Sequence, residues 1–430
     1  MSPHAIVEAS SWRTEGLSKF AVTKNAFLPE SSPAKILSDP YYEPWELVAQ
    51  HLAALIDGGL IRDSIQRMPV LSTDRLQSAA EWRRAYVMLG FMTHAYVWGG
   101  EKPEEILPPQ ISVPFLRVSA HLELPPVLTY AAANLWNFTC EGDDFTNLEE
   151  LKTLVSFTGT ESEAWFLLIS VAMEARAAGI IPTMLNAIEA VKTRDYSAIT
   201  SALGELRVCI EGVGALLERM YEKCDPMVFY HEIRPFLAGS KNMEAAGLPR
   251  GVFYDEGDGM GSYGHLRGGS NGQSSLIQFF DVVLGVDHNT HGSSGKKSFH
   301  DEVREYMPGP HRRFLVHVAR MGSIRELAMS GGSDPALQDL RKAYTAATET
   351  LSQFRNKHIQ IVTRYIILPS KQPWKKAAGP AAQRQNLASS STERSSEGGE
   401  LTGTGGTKLV PFLKQARDDT TEAGRLERAL

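Results

Sequence analysis

Cysteine is scarce in this chain. Cys140, Cys209 and Cys224 are the only three in 430 residues, and no two form a CxxC pair. That argues against a disulfide framework or a cysteine-based zinc site and fits a reducing compartment. Long apolar runs are missing too; none reaches the ~18 residues that a bilayer span needs. No long basic run occurs and the net charge is −6, so neither nucleic acid nor a membrane is an expected partner. The opening stretch MSPHAIVEASSWRTEG has no uninterrupted apolar core. A secretory signal is therefore not expected, and the default location is cytoplasmic. Nucleophile elbows of the GxSxG type and P-loops are absent. Alternating strand patterns are nearly so, which makes an all-α fold the expectation.

What is present looks like an ordinary soluble protein: 43% apolar and 22% charged residues. The length predicts two domains, a small helical one over 1–155 and a larger helical one over 156–430. Pro44 suits the start of a helix, and Gly58-Gly59 its end. A second helix is predicted over about 75–97, capped by Thr73 or Asp74. Pro103, Pro108, Pro109, Pro114, Pro125 and Pro126 predict an extended connection with no regular helix. Helix resumes over 127–138. Thr160-x-x-Glu163 is a capping-box pattern opening a helix over about 161–178. Ile199, Leu203, Leu206, Ile210, Val213, Leu217 and Met220 alternate steps of four and three, the mark of a long amphipathic helix. Residues 255–275 read as a glycine-rich polar loop. Its GDGMG at 257–261 superficially looks like a nucleotide fingerprint but is not expected to follow a strand. Helices are predicted over about 274–285, 298–307, 310–330 and from 335 onward. Residues 370–402 carry little apolar content and predict a mobile loop; a last helix spans about 408–427. His288, His291 and His300 sit in a polar stretch; two histidines three apart could bind zinc, but no carboxylate or cysteine is expected to complete a site.

The informative stretch is 351–369, LSQFRNKHIQIVTRYIILP. Leu351, Phe354, His358, Ile361, Tyr365 and Leu368 share one helical face, and Pro369 ends it. Five of the six are apolar or aromatic; the sixth is His358. Most histidines so placed are core residues with a hydrogen-bond partner. An imidazole facing an apolar pocket is also the usual axial ligand of a haem iron.

HIQIVTRYIILP resembles the proximal-histidine helix of the indoleamine 2,3-dioxygenase family, haem enzymes that open the indole ring of tryptophan. RGGSNGQSSLIQFFDVVLG at 267–285 and REYMPGPHRRFL at 304–315 carry the same resemblance. So do LELPPVLTYAA at 122–132, FYHEIRPFLAG at 229–239 and GTGGTKL at 403–409. It implies haem b with His358 as the axial ligand, and Asp281, Arg355, Gly269 and Ser270 near the haem. On the substrate side it implies that Arg234 takes the carboxylate of L-tryptophan. Phe166 and Phe229 would pack on the indole, with Tyr130, Ser170, Leu237 and Asn271 completing the pocket and Thr404 closing over it. Of these, Phe229, Arg234 and Ser170 are the residues expected to matter most for turnover. The implied reaction adds O2 across the indole C2=C3 bond, giving N-formylkynurenine, the first step of the kynurenine pathway. An external reductant and a monomeric chain are expected. An oxygen-binding or haem-sensing protein on the same fold is the alternative. Asn271, where some relatives have a small apolar residue, and Trp165 beside Phe166 bear on substrate breadth.

Overall fold

The computed structural model describes residues 14–288, 299–372 and 409–426. Helices dominate, as the near absence of strand patterns predicts. Among the described residues, one continuous apolar cluster runs from Leu17 to Tyr365.

Two long helices form the spine around the cavity described below. Tyr196–Glu218 is capped by Asp195, whose carboxylate accepts from the Ala198 N–H at 3.0 Å. Its predicted stripe, Ile199, Leu203, Leu206, Ile210, Val213 and Leu217, is entirely buried. It packs along Pro335–Val362, the helix that carries His358. The C-terminal helix Leu409–Ala423 lies on the other flank of Pro335–Val362. The helix Glu161–Arg176 crosses Tyr196–Glu218 and supplies the Phe166 and Ser170 wall. Thr160 caps it, accepting from Glu163 N at 3.3 Å. Glu163 does not complete the box; its carboxylate instead binds the N–H groups of Phe157 and Thr158.

Further toward the N-terminus, the central helix is Ala79–Trp98, with every residue from Arg84 to Trp98 buried. Its cap is Ser78 with Glu81 in a full capping box, not Thr73 or Asp74. The proline-rich stretch does contain a helix, Pro109–His121. Pro108 and Pro109 occupy the N-cap and first position, where a missing N–H is harmless. Only Pro114 lies inside, so the count of prolines misleads and their positions decide. The predicted helix over 127–138 shrinks to one wide turn, Ala131–Leu135, and Phe138 enters strand β2 (Phe138–Cys140).

Among the described residues, five short strands join the helices. β1 (Ile106–Leu107), β4 (Val252–Gly257) and β5 (Met260–Gly264) form one sheet, in the order β1-β4-β5. β2 pairs antiparallel with β3 (Leu151–Thr153). The GDGMG stretch is the β4–β5 hairpin. It therefore does follow a strand, against the expectation. Asp258 and Gly259 both take positive φ, as a tight two-residue turn requires. Another strand follows rather than a helix, so the stretch offers no phosphate cradle.

Candidate active site: a histidine-faced cavity

Among the described residues, three widened helical turns border one cavity. Ala131–Leu135 follows Tyr130, Phe229–Ile233 precedes Arg234, and Thr363–Ile367 follows His358. Such turns carry more than four residues each. In an ordinary helix Phe229 and Arg234, five apart, would point to different sides; the widened turn brings them to one side. Pro235 favours it, because it has no N–H for the regular ladder. The third widening also corrects the predicted face of 351–369. Ile361 and Tyr365 stay buried, but Leu368 is 50% exposed, rotated off the face by the extra residue.

The cavity measures about 220 Å³. Tyr130, Phe166, Ser170, Phe229, Arg234 and Leu237 line it from one group of elements. Gly269, Ser270, Asn271, Asp281, Arg355 and His358 line it from another. Every predicted site residue among those described thus faces the same space. Thr404 lies outside the described residues, as does most of the predicted 370–402 loop.

The loop 268–272 is held by named contacts. Gln273 accepts from Tyr130 N–H at 2.9 Å and donates to Gly268 O at 2.9 Å. Gly268 passes against Leu237 and Gly239 so closely that a Cβ there would collide with the Leu237 carbonyl oxygen. Glycine is therefore required at this crossing, and the loop and the Leu237 segment are fixed to each other.

Phe229 meets Phe166 edge-on at 4.8 Å and Tyr365 at 5.8 Å, making a rigid aromatic corner. Tyr365 is itself pinned, its hydroxyl donating to the carbonyls of Met220 and Cys224. The Arg234 guanidinium is 3% exposed and stacks over Tyr230 at 5.5 Å. Burial depresses its pKa, the mark of a cation held away from water.

Sequence reasoning did not single out Glu174, one turn beyond Ser170 on the same helix. Its Oε1 accepts from the Tyr130 hydroxyl at 3.1 Å and the Ser274 hydroxyl at 2.8 Å, while Oε2 has no partner. Burial raises its pKa to about 7. The i, i+4 relation to Ser170 was the available signal. Phe412 and Ala416 of the C-terminal helix also line the cavity.

Two of the described histidines reach the cavity, His300 and His358. His231 is not among its lining residues. The buried His94 bridges Phe236 O and Leu128 N, and His311 pairs with Ser275. His358 makes no hydrogen bond with a described residue. Protein surrounds it, yet part of its surface stays open because that part faces the cavity. Burial, then the nearby Arg355 charge, lowers its pKa to about 4. The imidazole is neutral at physiological pH, the form that binds metals. A half-buried imidazole with no hydrogen-bond partner among the described residues, facing a cavity with aromatic walls, fits a haem-iron ligand.

Beside it, Arg355 pairs with Asp281 at 2.5 Å. Burial by itself would raise the Asp281 carboxyl, but Arg355 and His288 outweigh it and hold the pKa well below the usual range. Arg355 Nε is left without a partner. That residual donor could meet an anionic group of a ligand.

The family profile described as indoleamine 2,3-dioxygenase matches residues 16–423. An indoleamine 2,3-dioxygenase of Aspergillus nanangensis is 41% identical over 94% of this chain and 95% of its own length. A 6-hydroxytryptophan 2,3-dioxygenase of Fusarium equiseti is 40% identical, with coverage of 92% and 95%. The indoleamine 2,3-dioxygenase of Saccharomyces cerevisiae is 38% identical, with coverage of 94% and 92%.

Proposed function

The chain belongs to the indoleamine 2,3-dioxygenase family, and from that premise we propose how its residues share the work. The protein is a haem-dependent dioxygenase that adds both atoms of O2 across the indole C2=C3 bond of L-tryptophan, giving N-formylkynurenine. The group would be haem b, and His358 would hold its iron. When bound, the haem supplies the iron at which O2 is activated. The observation that carries the assignment is the neutral, unpartnered imidazole of His358 facing the cavity that also holds the Arg234 guanidinium.

The chain itself binds, orients and keeps water away. Arg234 takes the substrate carboxylate; a guanidinium already stripped of water gains more from an anion than an exposed one does. Phe166 and Phe229 pack on the indole, and their edge-to-face contact fixes the angle of that wall. Ser170 and the 268–272 loop bound the remaining edge. The wall of Phe166, Ser170, Phe229 and Arg234 carries no imidazole, so the residues on this side act by position rather than as a general base. Arg355 and Asp281 steady the His358 helix against Ser275–Leu284. A cytoplasmic monomer served by an external reductant completes the proposal.

Aerobic turnover tests it. Reduced, haem-loaded protein is mixed with L-tryptophan, and N-formylkynurenine is followed by chromatography. Product at catalytic excess over enzyme supports the reading; haem binding without product would move the protein to the oxygen-binding alternative.

A further inference from the structure

Asp287 and Asp301 adjoin His288 and His300 in the sequence, but the carboxylate that the fold brings to both rings is Asp281. Asp281 reaches across from Ser275–Leu284, and ligand atoms of Asp281, His288 and His300 all lie within 4.8 Å of one another. A tetrahedral zinc with bonds of about 2.0–2.2 Å spaces its ligands about 3.3–3.6 Å apart, so a contraction of roughly 1 Å closes the set.

The surroundings are already ordered for that purpose. His288 Nδ1 lies 2.8 Å from Asp419 Oδ2, and Asp419 Oδ1 accepts from Gln415 Nε2 at 2.6 Å. A carboxylate on one ring nitrogen fixes the tautomer and aims the other nitrogen at a metal. That other nitrogen, Nε2, lies 3.2 Å from Asp281 Oδ2. Arg355 occupies Asp281 Oδ1, so an ion would enter between Oδ2 and His288 Nε2 in place of their present contact. The side chains of His288, Asp281 and Asp419 are 7%, 6% and 3% exposed, a nearly dry setting. His300 stacks flat on His288, with ring centres 3.8 Å apart and planes 10° from parallel. Parallel rings cannot both aim at one ion, so His300 must turn about its Cβ–Cγ bond, a torsion with a broad preference.

We propose that Asp281, His288 and His300 bind one divalent ion of the zinc class, with Asp419 orienting His288 from behind. Asp281 and His300 border the same cavity as His358, but ion binding does not depend on the reaction proposed above. It joins Ser275–Leu284, the short helix Phe299–Arg304 and the C-terminal helix Leu409–Ala423. His300, Phe412 and Ala416 of the last two line the cavity. Ion binding therefore fastens the C-terminal helix at the cavity wall and bears on ligand entry.

The test uses haem-loaded protein freed of loose metal with a chelator, then titrated calorimetrically with Zn²⁺. One ion per chain is expected. His288→Gln and His300→Ala should each lower affinity at least tenfold, and Asp419→Asn by ten- to a hundredfold. The haem absorption spectrum shows whether each variant is folded. Co²⁺ loading of the unaltered protein gives a readout free of any substitution: a tetrahedral visible spectrum is expected. No stoichiometric uptake, uptake unchanged in both histidine variants, or a Co²⁺ spectrum of the hydrated ion would overturn the site and leave an ion-pair cluster.

Discussion

Glu174→Gln isolates one buried ionisation. The carboxyl is 1% exposed and accepts two hydroxyl hydrogen bonds on one oxygen. Burial raises its pKa from 4.5 to about 7. Below about pH 4.5 both the folded and the unfolded chain hold the proton, and the site carries no penalty. As pH rises toward 7, the unfolded chain releases its proton first, and the folded state loses stability until it too ionises. The loss is complete above about 7 and amounts to about 3 kcal/mol. Glutamine keeps a carbonyl oxygen for Tyr130 and Ser274 and cannot ionise. The variant should therefore match the unaltered protein near pH 4.5 and exceed it by about 3 kcal/mol at pH 8. Urea unfolding across that range measures the difference. Parallel stability curves at every pH would refute the reasoning.

Other perturbations test other parts. Arg234→Ala should raise the KM for L-tryptophan about tenfold or more, since a hydrogen-bonded charge contributes about 1.5–3 kcal/mol, while haem content stays unchanged; an unchanged KM removes Arg234 from the site. Glu46→Gln leaves the buried Arg84 without the carboxylate that now holds it at 2.6 Å. It should lower stability by about 3–5 kcal/mol in urea unfolding, whereas a loss below about 1 kcal/mol would contradict a tightly coupled pair. Ser78→Ala removes the cap of Ala79–Trp98 and should cost about 1 kcal/mol in the same assay; no loss would place the helix start elsewhere.

The helical period of Ile199–Leu217 was fully legible, because a helix packed along one side shows its buried stripe directly. Boundaries set by particular side chains were less so. Ser78 and Glu81 outcompete Thr73 through a reciprocal cap that spacing alone does not rank. In the proline stretch, position decides: Pro108 and Pro109 start a helix that their number argues against. The Asp258-Gly259 pair carried a hairpin signal, weakened by the polar residues around it. The widened turns are invisible to a fixed 3.6-residue period, which is why Leu368 was expected inside. In the candidate site, family resemblance named residues that the fold gathers around one cavity. Glu174 was missed although it lies one turn from Ser170. The Asp281–His288–Asp419 cluster was not readable at all, since Asp419 stands 131 positions from its partner.

The most direct measurement is the absorption spectrum of haem-reconstituted protein, unaltered and His358→Ala, followed by L-tryptophan under reducing aerobic conditions. The account predicts a Soret band that depends on His358, with N-formylkynurenine formed only by the unaltered protein. An identical Soret band and equal product from the His358→Ala protein would contradict it.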